Sequence, residues 1–208
     1  MHASPNEPDA LTTEKLPNPS GLSVAANDGS GGRYARLLGR IEELPLGGLV
    51  KTIEPVAGRL TARPGMRSFF RGDATGTPVH SILTDAPFGT WWSAIFLDFY
   101  NDDSSRLAAK RLVAAGVITA VPTAVAGWAQ WSMKDQGTKR VGLVHAAANG
   151  AAVLVYAASW AARESGRHEL GVGLARAGAL LLLVSGFLGG HLRSGEPRRV
   201  VKRPRSDT

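Results

Sequence analysis

Four apolar stretches constrain this chain more than any other feature: Ile82–Tyr100, Leu112–Trp131, Val141–Ala162 and Leu170–Leu192. A membrane-spanning helix needs about 20 mostly apolar residues. The second and third stretches carry no charge, and the fourth carries only Arg176, near its start. The first is the weakest, bracketed by Asp85 and Asp98 but reinforced by Trp91, Trp92, Phe96, Phe99 and Tyr100. A soluble bundle would need polar faces at helical period, and the second and third stretches lack them. The expected fold is therefore all-α: a four-helix transmembrane bundle over residues 76–192. It is preceded by a disordered tail (1–32) and an amphipathic, interfacial segment (33–75), and followed by a basic tail (193–208).

Charge supports a membrane reading and argues against nucleic acid. The net charge of +7 hides an acidic start, because residues 1–32 hold Glu7, Asp9, Glu14 and Asp28 against Lys15. The basic residues gather in loops beside the apolar stretches, and no recognition element accompanies them. If all four stretches span, the side of the termini holds Arg63, Arg67, Arg71, Lys134, Lys139, Arg140, Arg193, Arg198, Arg199, Lys202, Arg203 and Arg205. The other side holds Arg106, Lys110, Arg111, Arg163, Arg167 and Arg176. This bias predicts a multi-pass cell-membrane protein with both termini cytoplasmic. The N-terminus has no basic segment followed by an apolar one, so no cleavable leader is expected.

Outside the spans, Tyr34, Leu37, Leu38, Ile41 and Leu44 share one helical face. Leu46, Leu49, Val50, Ile53, Val56, Ala57 and Leu60 form a second after Pro45, and Pro55 is expected to bend or restart that helix. Such segments lie along the bilayer surface or dock a partner helix. Gly142, Ala146 and Gly150, Ala147 and Ala151, and Gly186 and Gly190 recur at the spacing that lets membrane helices approach closely. Pro122 is expected to kink the second span, and Arg176 to pair with Asp98 or reach its own interface. No internal repeat stands out, which argues against a transporter.

Three of the five histidines, His80, His145 and His191, fall at stretch ends that would share one membrane face. Asp85, Gln130 and Asn149 are the polar residues nearest to them in this scheme, with Asn149 one turn from His145. Ionisable groups inside a membrane are expensive when unpaired, so they mark function by default. Three uses stand open. Two histidines could ligate a b-type haem walled by Trp91, Trp92, Trp128 and Trp131. All three could bind one metal ion, with Asp85 in support. Or they could hydrogen-bond across helices and hold the helix ends together, which is the preferred use. With no cysteine, disulfides, thiolate metal sites and covalently attached haem are excluded. No nucleophile elbow, P-loop, dinucleotide fingerprint or zinc-protease motif is present. Ser93, Ser159 and Ser185 sit in apolar helices and read as packing residues. No independent catalytic activity is expected.

The runs GTPVHSILTDAPFGTWWSAIFLDFY, AGWAQW, HAAAN and GGHL resemble a family of bacterial four-helix membrane proteins whose domain has no assigned function. The likeness covers roughly residues 48 to 192, in matching order and spacing. Some members continue into a Rieske-type iron–sulfur domain, which would imply a redox partner. This chain departs from the family's pattern at Thr77, where a second histidine is usual, at Ser81, where a proline is usual, and at Gln130, where a carboxylate is usual. The expectation is a small structural or partner-binding membrane bundle, or alternatively a redox subunit holding haem or a metal ion. Neither reading sets the oligomeric state.

Overall fold

The computed structural model describes residues 30–194, with side chains from Arg36 to Gly190. The chain divides into two compact units, Met1–Arg36 and Leu37–Thr208. The expected tails fall outside the described residues except at their inner edges, where Ser30 to Gly32 begin a helix and Arg193 and Ser194 end one. All regular elements among the described residues are helical: α1 (Ser30–Glu42), α2 (Gly47–Gly58), a 3-10 turn (Arg59–Thr61), α3 (Pro64–Arg71), α4 (Val79–Leu97), α5 (Asp103–Ser132), α6 (Gln136–Glu164) and α7 (His168–Ser194).

Three of these helices, α5, α6 and α7, are long and apolar enough to cross a membrane. Helix α4 matches the first apolar stretch in position, but His80, Asp85, Pro87 and its four Thr and Ser residues dilute its hydropathy. The long helices also run past their apolar stretches. Helix α5 has 30 residues, or about 45 Å, against a hydrocarbon core of about 30 Å. Its first turns, with Arg106, Lys110 and Arg111, precede the apolar stretch that starts at Leu112.

Ends are set by capping. Asp102 accepts from the backbone N–H of Ser105 at 2.9 Å, and Asp135 from that of Thr138 at 3.0 Å. Each fills a donor that a helix start leaves open. Pro122 and Pro55 both lie inside continuous helices. Of the two outcomes expected at Pro55, a bend or a restart, helix α2 is thus not restarted there.

Helix α4 packs chiefly on α5 and α6 chiefly on α7, and the two hairpins meet through α5–α6 and α4–α7. Buried positions on α5 are mostly small: Ala109, Gly116, Ala120, Ala126 and Ala129. Large apolar side chains face outward instead, as with Ile118 (65 % exposed), Leu154 (72 %) and Phe187 (71 %). Small inside and bulky outside is the pattern of helices solvated by lipid. Of the glycines the spacing suggested, Gly142 alone serves close packing. Gly150, Ala147, Ala151, Gly186 and Gly190 are exposed, whereas Gly116, Gly142 and Gly178 receive the rings of Trp91, Trp131 and Tyr156.

Helix α2 docks on the bundle. Val50 and Ala57 are buried with Trp131 and Leu143, flanked by Leu46, Ile53 and Trp128. Glu54 receives Lys139 at 2.5 Å and Gln136 at 3.3 Å. The Lys139 hydrogen bond, seconded by Gln136, holds the Glu54 carboxyl below its ordinary range.

The cap at Asp135 gives a test with a defined sign. Hydrogen bonds from the Thr138 hydroxyl and then its backbone N–H lower the Asp135 pKa. Its stabilisation is therefore complete above the ordinary carboxylate pKa and is lost as pH falls through the depressed one. Asp135→Ala should cost about 1 kcal/mol at neutral pH. Asp135→Asn should keep most of the cap and remove this acid dependence, read from unfolding midpoints in detergent.

Candidate functional site

His80 and His145 make the same contact in the two hairpins. His80 Nδ1 lies 2.9 Å from the Thr123 carbonyl of α5, and His145 Nδ1 lies 3.0 Å from the Ser185 carbonyl of α7. A carbonyl only accepts, so each Nδ1 donates its N–H, and in a neutral imidazole Nε2 then keeps the lone pair. Each ring lies over a glycine four residues further on. A Cβ on Gly127 would stand 3.1 Å from His80, and one on Gly189 would stand 2.9 Å from His145. The hydroxyl of Thr123 reaches the Leu83 carbonyl at 3.1 Å, while that of Ser185 reaches the His145 carbonyl at 3.4 Å.

The likeness continues along both hairpins. Trp91 fits against Gly116 and Tyr156 against Gly178, where an added Cβ would come within 2.2 and 2.8 Å of the rings. Separations of 43 residues (His80 to Thr123) and 40 residues (His145 to Ser185) differ only by the shorter second connection. Helices α4 and α6 are thus counterparts, as are α5 and α7, and the domain is a doubled hairpin. The expectation of no internal repeat is overturned. Of the identities, Val79-His80 and Val144-His145 share a doublet, and both halves carry Gly, then Thr or Ser seven residues on, then Gly after four more. That thin signal was available in the sequence.

Counterparts also touch one another where the hairpins meet. Trp91 and Tyr156 stack with centroids 4.1 Å apart and planes 1° apart. Arg163 grips Asp98 through two hydrogen bonds of 2.7 and 2.6 Å, with both side chains 1 % exposed. Asp98 and Arg163 are 65 positions apart, as are His80 and His145, and Trp91 and Tyr156. Equivalent residues meeting in this way mark an approximate two-fold relation between the hairpins, unequal in detail because α5 and α6 pack more extensively than α4 and α7. Helices α4 and α6 run in the same direction along its axis. Arg176 is not the partner of Asp98 but lies over the Phe99 ring, 5.9 Å from its centroid.

The halves differ in what surrounds Nε2. Asn149 Nδ2 lies 2.9 Å from Nε2 of His145 and donates to its lone pair. The counterpart Thr84 instead returns its hydroxyl to the His80 carbonyl at 2.7 Å. Because His145 Nδ1 is protonated toward the Ser185 carbonyl, it is not a base toward the Ser185 hydroxyl 3.0 Å away. Asp85 is exposed, and Gln130 is half-buried near the end of α5; among the described side chains neither bonds to a histidine. The backbone of His191 lies in the last turns of α7, and its side chain is outside the described residues. Among the described residues, no group of three or more His, Asp or Glu could hold a metal ion. The tryptophans do not form one wall. Trp91 lies in the core with Tyr156, Trp92 is 37 % exposed, and Trp128 and Trp131 meet edge to face beneath α2.

The glycines under the aromatic rings are the sharpest test of the doubled packing. Gly116→Leu and Gly178→Leu should each cost about 1–3 kcal/mol by overpacking. Gly116→Leu should cost more, since it also breaks the 3.2 Å bond from Trp91 Nε1 to the Val113 carbonyl. Gly186→Leu, in open space, should stay within about 0.5 kcal/mol. Unfolding midpoints of the three variants in one detergent check this ranking.

Residues 76–196 match the family described as "Predicted membrane protein (DUF2231)", and the chain belongs to it. No curated protein matches the chain, and no solved structure does.

Proposed function

We propose that this member of the family is a four-span integral membrane protein that works as a structural or partner-binding bundle, with its histidines serving as interhelical clasps. One observation carries the reading: His80 and His145 each spend Nδ1 on a carbonyl of the neighbouring helix, and Asn149 takes up Nε2 of His145. In a bilayer such bonds join helices that hydrophobicity alone does not hold together. Helix α4 is the fourth span, since it pairs with α5 as α6 pairs with α7. The Lys and Arg bias places both termini in the cytoplasm. On that side α2, fastened by Glu54 and Lys139, presents exposed Leu49 and Val56 to the headgroups or to a partner protein.

A second reading has one observation in its favour. A metal-ligating imidazole usually donates its other nitrogen to a carbonyl, as both histidines do here. They could therefore present Nε2 to a b-type haem or a metal ion, with Asn149 displaced at His145, and the protein would then serve a redox partner.

One experiment separates the two. Protein purified from haem-replete cells should show no Soret band, oxidised or reduced, and no bound transition metal. His145→Ala should lower stability by about 0.6–1.7 kcal/mol, the range of single interhelical bonds in membranes. A Soret band or stoichiometric metal that His80→Ala and His145→Ala abolish would replace the clasp reading with the redox one.

A further inference from the structure

We infer that the bundle binds a phosphate-bearing anion at the end opposite the histidines, in an open cavity of about 230 Å³ lined by Arg106, Leu107, Lys110, Arg163 and His168. This goes beyond the clasp reading and does not depend on it.

The cavity's charges are unevenly answered. Arg163 is committed to Asp98 by both terminal nitrogens, and Lys110 meets Glu164 at 3.1 Å. Arg106 is different. Its hydrogen-bond partner is the neutral amide oxygen of Asn101, and its Nε is buried without a partner among the described residues. A desolvated guanidinium N–H left open is costly, and a slight turn of the Arg106 side chain would bring it to an anionic oxygen in the cavity.

The position favours phosphate. Arg106 and His168 are counterparts in the two hairpins, each ten residues ahead of the glycine that seats an aromatic ring. The cavity therefore sits where the local axis leaves the bundle, beside the buried Asp98–Arg163 pair. Helices α5 and α7 both begin here, so the positive ends of their dipoles lie at the same level. The first turns of α5 protrude from the hydrocarbon layer into the zone of lipid phosphates. Guanidinium forks match phosphate oxygens, and Lys110 adds a mobile point charge whose present partner, Glu164, is 52 % exposed. The phosphate could belong to a lipid headgroup or to a free ion.

The test uses the full chain in a phosphate-free maltoside detergent. Thermal unfolding is followed with inorganic phosphate, with phosphatidylglycerol, and with a diacylglycerol of the same chains. The unfolding midpoint should rise by several degrees with phosphatidylglycerol and not with diacylglycerol. That rise should shrink at least threefold in Arg106→Gln and in Lys110→Gln, either of which suffices if the other fails to fold. An equal response to inorganic phosphate assigns the site to a free anion, and a response to the lipid alone assigns it to a headgroup; both support the site. No response to either phosphate, or a full response in a folded variant, would overturn it.

Discussion

The Asp98–Arg163 ion pair is the constraint on which the rest of the bundle depends. Two charges are taken out of solvent where the hairpins meet, and neither is tolerable there without the other. Removing one partner of such a buried pair typically costs about 3–5 kcal/mol, because the survivor is left uncompensated. The pair lies at the C-terminal ends of α4 and α6. It therefore fixes the depth of one hairpin against the other, which the non-directional packing of alanine and glycine cannot do. The stacked rings of Trp91 and Tyr156 lie two turns further in and share the same axis. Together they set both the register and the facing of the two halves.

From that register the other contacts follow as two copies of one design. Each hairpin seats an aromatic ring on a glycine deep in the bundle and an imidazole on a glycine near its other end. Each closes with a histidine-to-carbonyl bond beside a Thr or Ser hydroxyl. The copies have diverged where chemistry is added. Asn149 caps the imidazole of the second hairpin, where Thr84 stands in the first. Arg106 and His168 bring different side chains to one cavity. Interior positions are small and the outer positions bulky, so lipid contact, not a hydrophobic core, accounts for much of the large apolar surface.

Much of this was legible in the sequence, and the rest was hidden for physical reasons. The apolar stretches located all four long helices, because length and hydropathy are local properties. Their true ends were not legible, since Arg106 and Lys110 are compatible with a helix that continues beyond the hydrocarbon layer. Four-residue spacing of small residues gave the packing surface only in part. Gly142 satisfies the pattern and seats Trp131, Gly186 and Gly190 satisfy it yet face outward, and Gly178 fits no such pair yet seats a ring. Which face of a membrane helix is buried depends on its neighbours, which spacing alone does not reveal. The partner of Asp98 was left open for the same reason, between Arg176 and no partner, with two arginines at the same membrane level and only the fold to choose Arg163. The repeat escaped because it survives mainly in a few paired positions rather than in runs of identity. His80 and His145 were recognised as related, but through a shared membrane face and not as counterparts.

The most direct test is a charge swap at the axis, with Asp98→Arg and Arg163→Asp made singly and together. Because the two positions are equivalent in the doubled hairpin, exchanging them preserves the pair in a near-identical setting. Each single variant should fail to accumulate as folded protein in the membrane, while the double variant should recover most of the yield and unfolding midpoint of the native chain. A double variant no better than the worse single one would contradict the doubled architecture and the role given to its central ion pair.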